Sequence, residues 1–142
     1  MTNQDLYLQA EINLYDLMIT KLDLRESLNI PNSETTTETE IFQNQTLRPI
    51  LKLQNDLYFS LFTNYALRQK ADFNSLSISK KQIFIVQSIQ KDAVLKNTFI
   101  GITIGMFTLE ELKIYESESK VFNKRIITML IERLKSQIEK TK

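Results

Sequence analysis

The chain predicts an all-α fold, a single-domain bundle of five or six helices with a kinked central helix. Three observations carry that prediction. Its 142 residues include only two glycines and two prolines, so the backbone has little of the punctuation that hairpin turns and phosphate-cradling loops need. Apolar residues recur at spacings of three and four over long stretches, the period of an amphipathic helix. Several stretches begin on Ser or Thr followed three residues later by Glu or Gln, a pairing that satisfies the free N–H groups of a helix start.

Size and composition fit one globular domain. A chain near this length buries roughly 70% of the surface its unfolded form exposes, enough for a core without staples. An apolar fraction of 42% and a charged fraction of 25% indicate neither disorder nor a membrane class. No cysteine is present, which excludes disulfide frameworks and zinc-thiolate sites and fits a reducing compartment. The N-terminus has no basic stretch ahead of an apolar one, so no secretory leader is expected. The longest apolar run, Phe99 to Phe107, is interrupted by Thr103 and falls far short of the roughly 20 residues of a membrane span. A cytoplasmic protein with no membrane partner is the expectation.

Taken in order, the first element is a helix from about Gln4 to Leu28. Leu8, Ile12, Tyr15, Ile19 and Leu22 form a heptad-like seam along it. Two heptads are too few for a standalone coiled coil, so the seam is expected to pack on the rest of the chain or on a twin subunit. Leu22, Leu24, Leu28 and Ile30 also allow a short extended piece at its end. Pro31 closes the element, and the polar run Pro31 to Thr39 reads as a linker. The chain therefore divides into an arm with its linker, residues 1–36, and a helical core domain, residues 37–142.

The strongest helical pattern follows, with Leu47, Ile50, Leu51, Gln54, Leu57, Tyr58, Leu61, Phe62 and Tyr65 on one stripe. Pro49 allows a helix starting near Thr46 or a kink in a longer one starting after Thr37. Capping-box spacings at Thr35/Glu38 and Thr37/Glu40 favour the kinked version. Ser79 with Gln82, stapled by Ile78 and Ile83, predicts a helix over about 80–90, and a further helix runs from Asp92 to Met106. Thr108 with Glu111, flanked by Phe107 and Leu112, predicts one over 109–116. The last, from about Ser119 to Lys140, carries Ile127, Leu130, Ile131, Leu134 and Ile138 on one face, with Phe122, Ile126 and Met129 beside it. No internal repeat stands out.

The net charge of +1 conceals a division. Residues 1–41 hold eight acidic and two basic side chains, and residues 42–142 hold nine acidic and sixteen basic ones. An acidic arm can lie on its own basic body, lie on a second copy, or leave the basic part to an anionic partner.

Four groups are candidates for function. Gly101 and Gly105 share a helix face and, lacking Cβ atoms, suit a tight helix crossing. Gln43, Asn44, Gln45, Arg48, Lys52, Gln54 and Asn55 surround Pro49. They can hold a carboxylate or phosphate through charge-assisted and amide hydrogen bonds, or Asn44 and Gln54 can bridge helices while Arg48 and Lys52 stay solvated. Lys120, Asn123, Lys124, Arg125, Arg133, Lys135, Lys140 and Lys142 make the final helix basic. Interleaved Glu118, Glu132 and Glu139 and a pI of about 7.9 make nucleic acid a poor fit. The absence of histidine removes a Ser-His-Asp relay and histidine-based metal faces. The acidic pairs Glu110/Glu111 and Glu116/Glu118 read as solvated helix surface. No catalytic residue, metal site or cofactor is expected.

The runs IFQNQTLRPILKLQND (41–56), GITIGMFTLEE (101–111) and FNKR (122–125) resemble a group of short helical bacterial proteins that often carry a glyoxalase label. The likeness spans about Phe42 to Leu134. Glyoxalase proper is built from βαβββ units with histidine and glutamate metal ligands, so the label transfers no catalytic residue to this chain. The reading is a self-associating protein-interaction module without catalysis. A homo-oligomer, with a dimer favoured, would form through Leu8, Ile12, Tyr15 and Ile19, and a protein partner is a further expectation. The alternative is an anion or nucleic-acid binding module using the cluster around Pro49, and the third reading is an enzyme matching the label.

Overall fold

The structure, a computed structural model, describes residues 2–5, 21–26, 36–69 and 72–140. Every regular element among them is helical. Thr37 opens the first, its hydroxyl accepting the Glu40 N–H at 3.1 Å. From there α1 (Glu38–Phe42), a π turn (Gln43–Leu47), α2 (Arg48–Leu53) and α3 (Asn55–Arg68) make one bent rod, so the longer, kinked version of this helix is the one that forms. Pro49 explains the π turn: it has no N–H to donate, and its ring collides with the carbonyl four residues back in an ordinary α-helix. One extra residue widens the turn, and the Arg48 N–H bonds to the Gln43 carbonyl, five residues back. A second bend falls at Gln54, where φ is −96° and ψ is 14°.

After a 3₁₀ turn at Phe73–Ser75 come α4 (Ile78–Lys91), α5 (Ala93–Ile104), α6 (Leu109–Ser117) and α7 (Ser119–Lys140). Asp92 caps α5 by accepting the Leu95 N–H at 3.1 Å. Thr108 and Glu111 form the full capping box of α6, the hydroxyl accepting the Glu111 N–H at 3.2 Å and the carboxylate accepting the Thr108 N–H at 2.9 Å. The cap of α4 differs from expectation. It is Ser77, accepting the Lys80 N–H at 3.3 Å, and Ser79 lies inside the first turn. Gln82 is drawn instead to Glu139 of α7, at 2.7 Å, and Ile83 is exposed, so neither half of the expected box and staple forms.

The core is arranged around α7, which packs on α4, α5, α6 and the π turn. Phe122, Ile126, Ile127, Leu130, Ile131, Leu134 and Ile138 are buried along it, facing Ile85 and Ile89 of α4, Leu95, Phe99 and Ile100 of α5, and Leu47, Ile50, Leu51, Tyr58 and Phe62 of the rod. Leu57 departs from the predicted stripe and is exposed, lying at its edge beyond the bend at Gln54. Aromatic clusters close both ends: Phe42, Phe107, Tyr115 and Phe122 at one, and Phe62, Tyr65, Phe73 and Phe84 at the other. One polar chain crosses the interior. Gln54 donates to the Tyr58 hydroxyl at 3.0 Å and to the Ile102 carbonyl at 3.3 Å, and the Tyr58 and Thr103 hydroxyls meet at 2.8 Å. Burial raises the Tyr58 pKa above its ordinary value.

Two further expectations are corrected. The first helix does not continue to Leu28, because residues 21–25 form a turn and bend, with Leu22 and Leu24 exposed. Nor do Gly101 and Gly105 seat a tight helix crossing among the described residues. Both face outward, a methyl at Gly101 would meet nothing within 4 Å, and one at Gly105 would meet only carbonyls of its own helix.

Residues 21–26 of the arm are fastened to the α5–α6 turn. Lys21 donates to the Phe107 carbonyl at 3.2 Å. Arg25 donates to the Met106 carbonyl and makes a two-pronged pair with Glu111, at 2.7 and 2.8 Å. Their side chains are 5% and 13% exposed. Glu111 also accepts the Thr46 hydroxyl at 3.1 Å. Burial opposes ionisation of Glu111, but the bonds from Arg25, the Thr108 N–H and Thr46, with the charge of Arg25, outweigh it and hold the carboxyl below its usual range. The charge division thus works here in reverse, an arm cation on a body carboxylate. Glu26 with Lys52, at 2.5 Å, has the expected sense.

Candidate functional site

A groove of about 1060 Å³ runs between the bent rod and α7. The rod contributes Gln43, Arg48 and Asn55, which share a face because the π turn separates the first two by one widened turn and two ordinary turns separate the last two. Opposite them, α7 contributes Arg125, Met129, Arg133 and Gln137, with Lys124 and Glu132 at the margin. Among the described residues, four cations and one carboxylate therefore line the groove.

Amide groups hold the three arginines among them in place. Arg125 donates to Gln43 Oε1 at 2.5 Å. Asn55 and Gln137 exchange reciprocal amide bonds at 3.0 and 2.9 Å, and Arg133 donates to Asn55 Oδ1 at 3.3 Å. Asn44 accepts Arg48 Nε at 2.9 Å, which fixes the stem of that side chain and leaves its outer nitrogens toward the groove. The ion pairs of Arg25 with Glu111 and of Lys52 with Glu26 both lie outside the groove. Burial, and then the charge of Arg48, push the Arg133 pKa below its ordinary value. Arg48 and Arg133 consequently destabilise one another, and an anion between them would turn that repulsion into two charge-assisted attractions.

Gln43, Arg48 and Asn55 thus come together in the groove, and Asn44 supports Arg48 from behind. Two candidates belong elsewhere. Lys52 leans to the far flank and pairs with Glu26. Gln54, six residues beyond Arg48 and therefore about 120° around the helix, turns inward to Tyr58 and Ile102. The interface candidates Leu8, Ile12, Tyr15 and Ile19 lie outside the described residues.

Sequence reading placed Lys124, Arg125 and Arg133 on a separate basic helix. Nothing in their spacing pointed to the amides around Pro49, since only the packing of α7 beside the rod joins the two sets. The three runs quoted above also meet, through Thr46 with Glu111, Gln43 with Arg125 and Gln54 with Ile102.

The groove carries no histidine or cysteine, and no group of three or more metal-ligating side chains occurs among the described residues. Its chemistry is that of charge-assisted hydrogen bonding. No helix among the described residues is long and apolar enough to cross a membrane. No protein-family model, curated protein or solved structure matches the chain.

Proposed function

We propose that the protein is a non-catalytic binding module that holds an anionic ligand in the groove between the bent rod and α7. The observation that carries this reading is the pair Arg48 and Arg133, brought from separate helices into one groove with no carboxylate partner among the described residues. Holding two guanidinium groups together with one partly buried costs stability. An anion offsets that cost, and the amides of Gln43, Asn55 and Gln137 supply neutral donors and acceptors that fix its orientation.

Thermal denaturation with millimolar citrate or tripolyphosphate, against sodium chloride of matched ionic strength, tests the reading. The melting temperature is expected to rise with the logarithm of anion concentration. That rise should disappear in the Arg48→Gln/Arg133→Gln double variant. No excess over sodium chloride with either anion, or an excess of equal size in the double variant, would overturn it.

A further inference from the structure

Resting on the anion-binding reading, the composition of the groove narrows the class of ligand. We infer that it takes an acidic peptide segment of a partner protein, lying along α7. From Val121 to Gln137 the lining side of this helix covers sixteen residue steps, a length of about 24 Å. An extended peptide of about seven residues spans that distance.

Cations stand along nine of these sixteen steps, from Lys124 and Arg125 in one half of the lining side of α7 to Arg133 in the other, with Arg48 contributed by the rod. Planar guanidinium groups match the two oxygens of Asp and Glu side chains, so both halves can engage carboxylates in the fork geometry. Glu132, next to Arg133 on α7, also lines the groove. It is exposed. A chain of phosphates offers this carboxylate no donor and meets it with like charge, whereas a peptide brings a backbone N–H at every residue. The Asn55–Gln137 amide pair presents donor and acceptor edges of the kind that backbone amides also carry.

Apolar contact is present as well. Val121 is 42% exposed and Met129 is half-buried, both in the groove. The flexible thioether of Met129 can adjust to apolar side chains that alternate with acidic ones. Among the described residues no aromatic side chain lines the groove, so they offer no stacking platform of the kind that single-stranded nucleic acid uses.

Fluorescence anisotropy with a labelled eight-residue peptide of alternating Glu and Leu, challenged by unlabelled polyphosphate of about eight units or by octauridylate, tests the inference on the full chain. The peptide should bind, and its affinity should fall by about tenfold or more between 50 and 300 mM sodium chloride. A similar loss is expected in the Arg48→Gln/Arg133→Gln variant, whose circular dichroism spectrum serves as the folding control. In Glu132→Gln the competing polyphosphate should gain affinity while the peptide does not. If polyphosphate or octauridylate binds the groove at least as tightly as the peptide, and loses affinity in the double variant, the peptide class is wrong while anion binding stands. Peptide binding that ignores the double variant overturns the inference, and failure of all three probes overturns both readings.

Discussion

Replacing Glu111 by Gln isolates the clamp that fastens the arm to the body. The substitution keeps the shape of the side chain and one oxygen to accept the Thr108 N–H, but it turns an amide N–H₂ toward Arg25, donor against donor. Charge centres about 4 Å apart attract by about 4 kcal/mol at the effective dielectric of partly buried sites. Arg25 is left with the Met106 carbonyl and with an Nε that has no partner among the described residues. Removing one member of a buried pair costs about 3–5 kcal/mol, and the bonds that Gln can keep place this variant at the lower end, about 3 kcal/mol. For 142 residues the unfolding entropy is about 0.3 kcal/mol/K, so the melting temperature should fall by about 10 °C at pH 7. The pH dependence gives a second reading. Because the folded-state pKa of Glu111 lies below its reference of 4.5, the stabilisation is present in full above that reference and is lost as pH falls through the lowered value. Melts of both proteins by circular dichroism from pH 7 to pH 3 should therefore converge at the acid end. A variant that melts within 2 °C of the parent at pH 7, or a difference that stays constant into acid, would refute the argument.

Gly101→Ala should stabilise the protein by about 0.5–1 kcal/mol, or about 2–3 °C, because it lowers the backbone entropy lost in α5 and its methyl enters open space; a fall in melting temperature would show that something packs on this face. Arg133→Met retains the apolar stem and removes the repelled charge, so it should leave stability unchanged or raise it by up to about 1 kcal/mol while abolishing anion binding. Loss of both stability and binding in that variant, followed by calorimetry and titration, would mean that Arg133 serves the fold instead.

Fold class was legible because helix starts and apolar periods are local properties. Thr37, Asp92 and Thr108 mark their helices through bonds reaching only three residues, and the buried face of α7 repeats at the helical period. The cap of α4 was misplaced because Ser77 and Ser79 both satisfy the local rule, and the choice rests on Gln82 pairing with Glu139, 57 residues away. The same distinction governs the site. Arg48 and Asn55 were visible as a polar cluster, but Asn55 meets Gln137 across 82 residues, and no local pattern encodes that approach. Glu111 was visible as a cap residue, and its larger role depends on Arg25, 86 residues earlier. Gly101 and Gly105 misled for the opposite reason: a small-residue spacing reports what a helix face permits, and the described residues place no backbone there.

The π turn ties the two sides of the molecule together, since Thr46 reaches the clamp and Gln43 reaches the groove from the same five residues. A π turn is an α turn with one residue added, and Gln45 is exposed within it. Deleting Gln45 should therefore restore an ordinary helix with Phe42 and Gln43 still in register against α7. In that helix, however, the residue four before the proline is Asn44, and its carbonyl meets the proline ring at a cost of about 3 kcal/mol. Replacing Pro49 by Ala removes the collision and restores an N–H to donate. The deletion alone is thus expected to lower the melting temperature by about 10 °C, and the deletion combined with Pro49→Ala should recover most of that loss. Anion affinity should survive in the combined variant, because Gln43 and Arg48 keep their positions relative to Arg125 and Arg133. Strict additivity of the two changes would show that tertiary contacts, and not the proline, impose the widened turn.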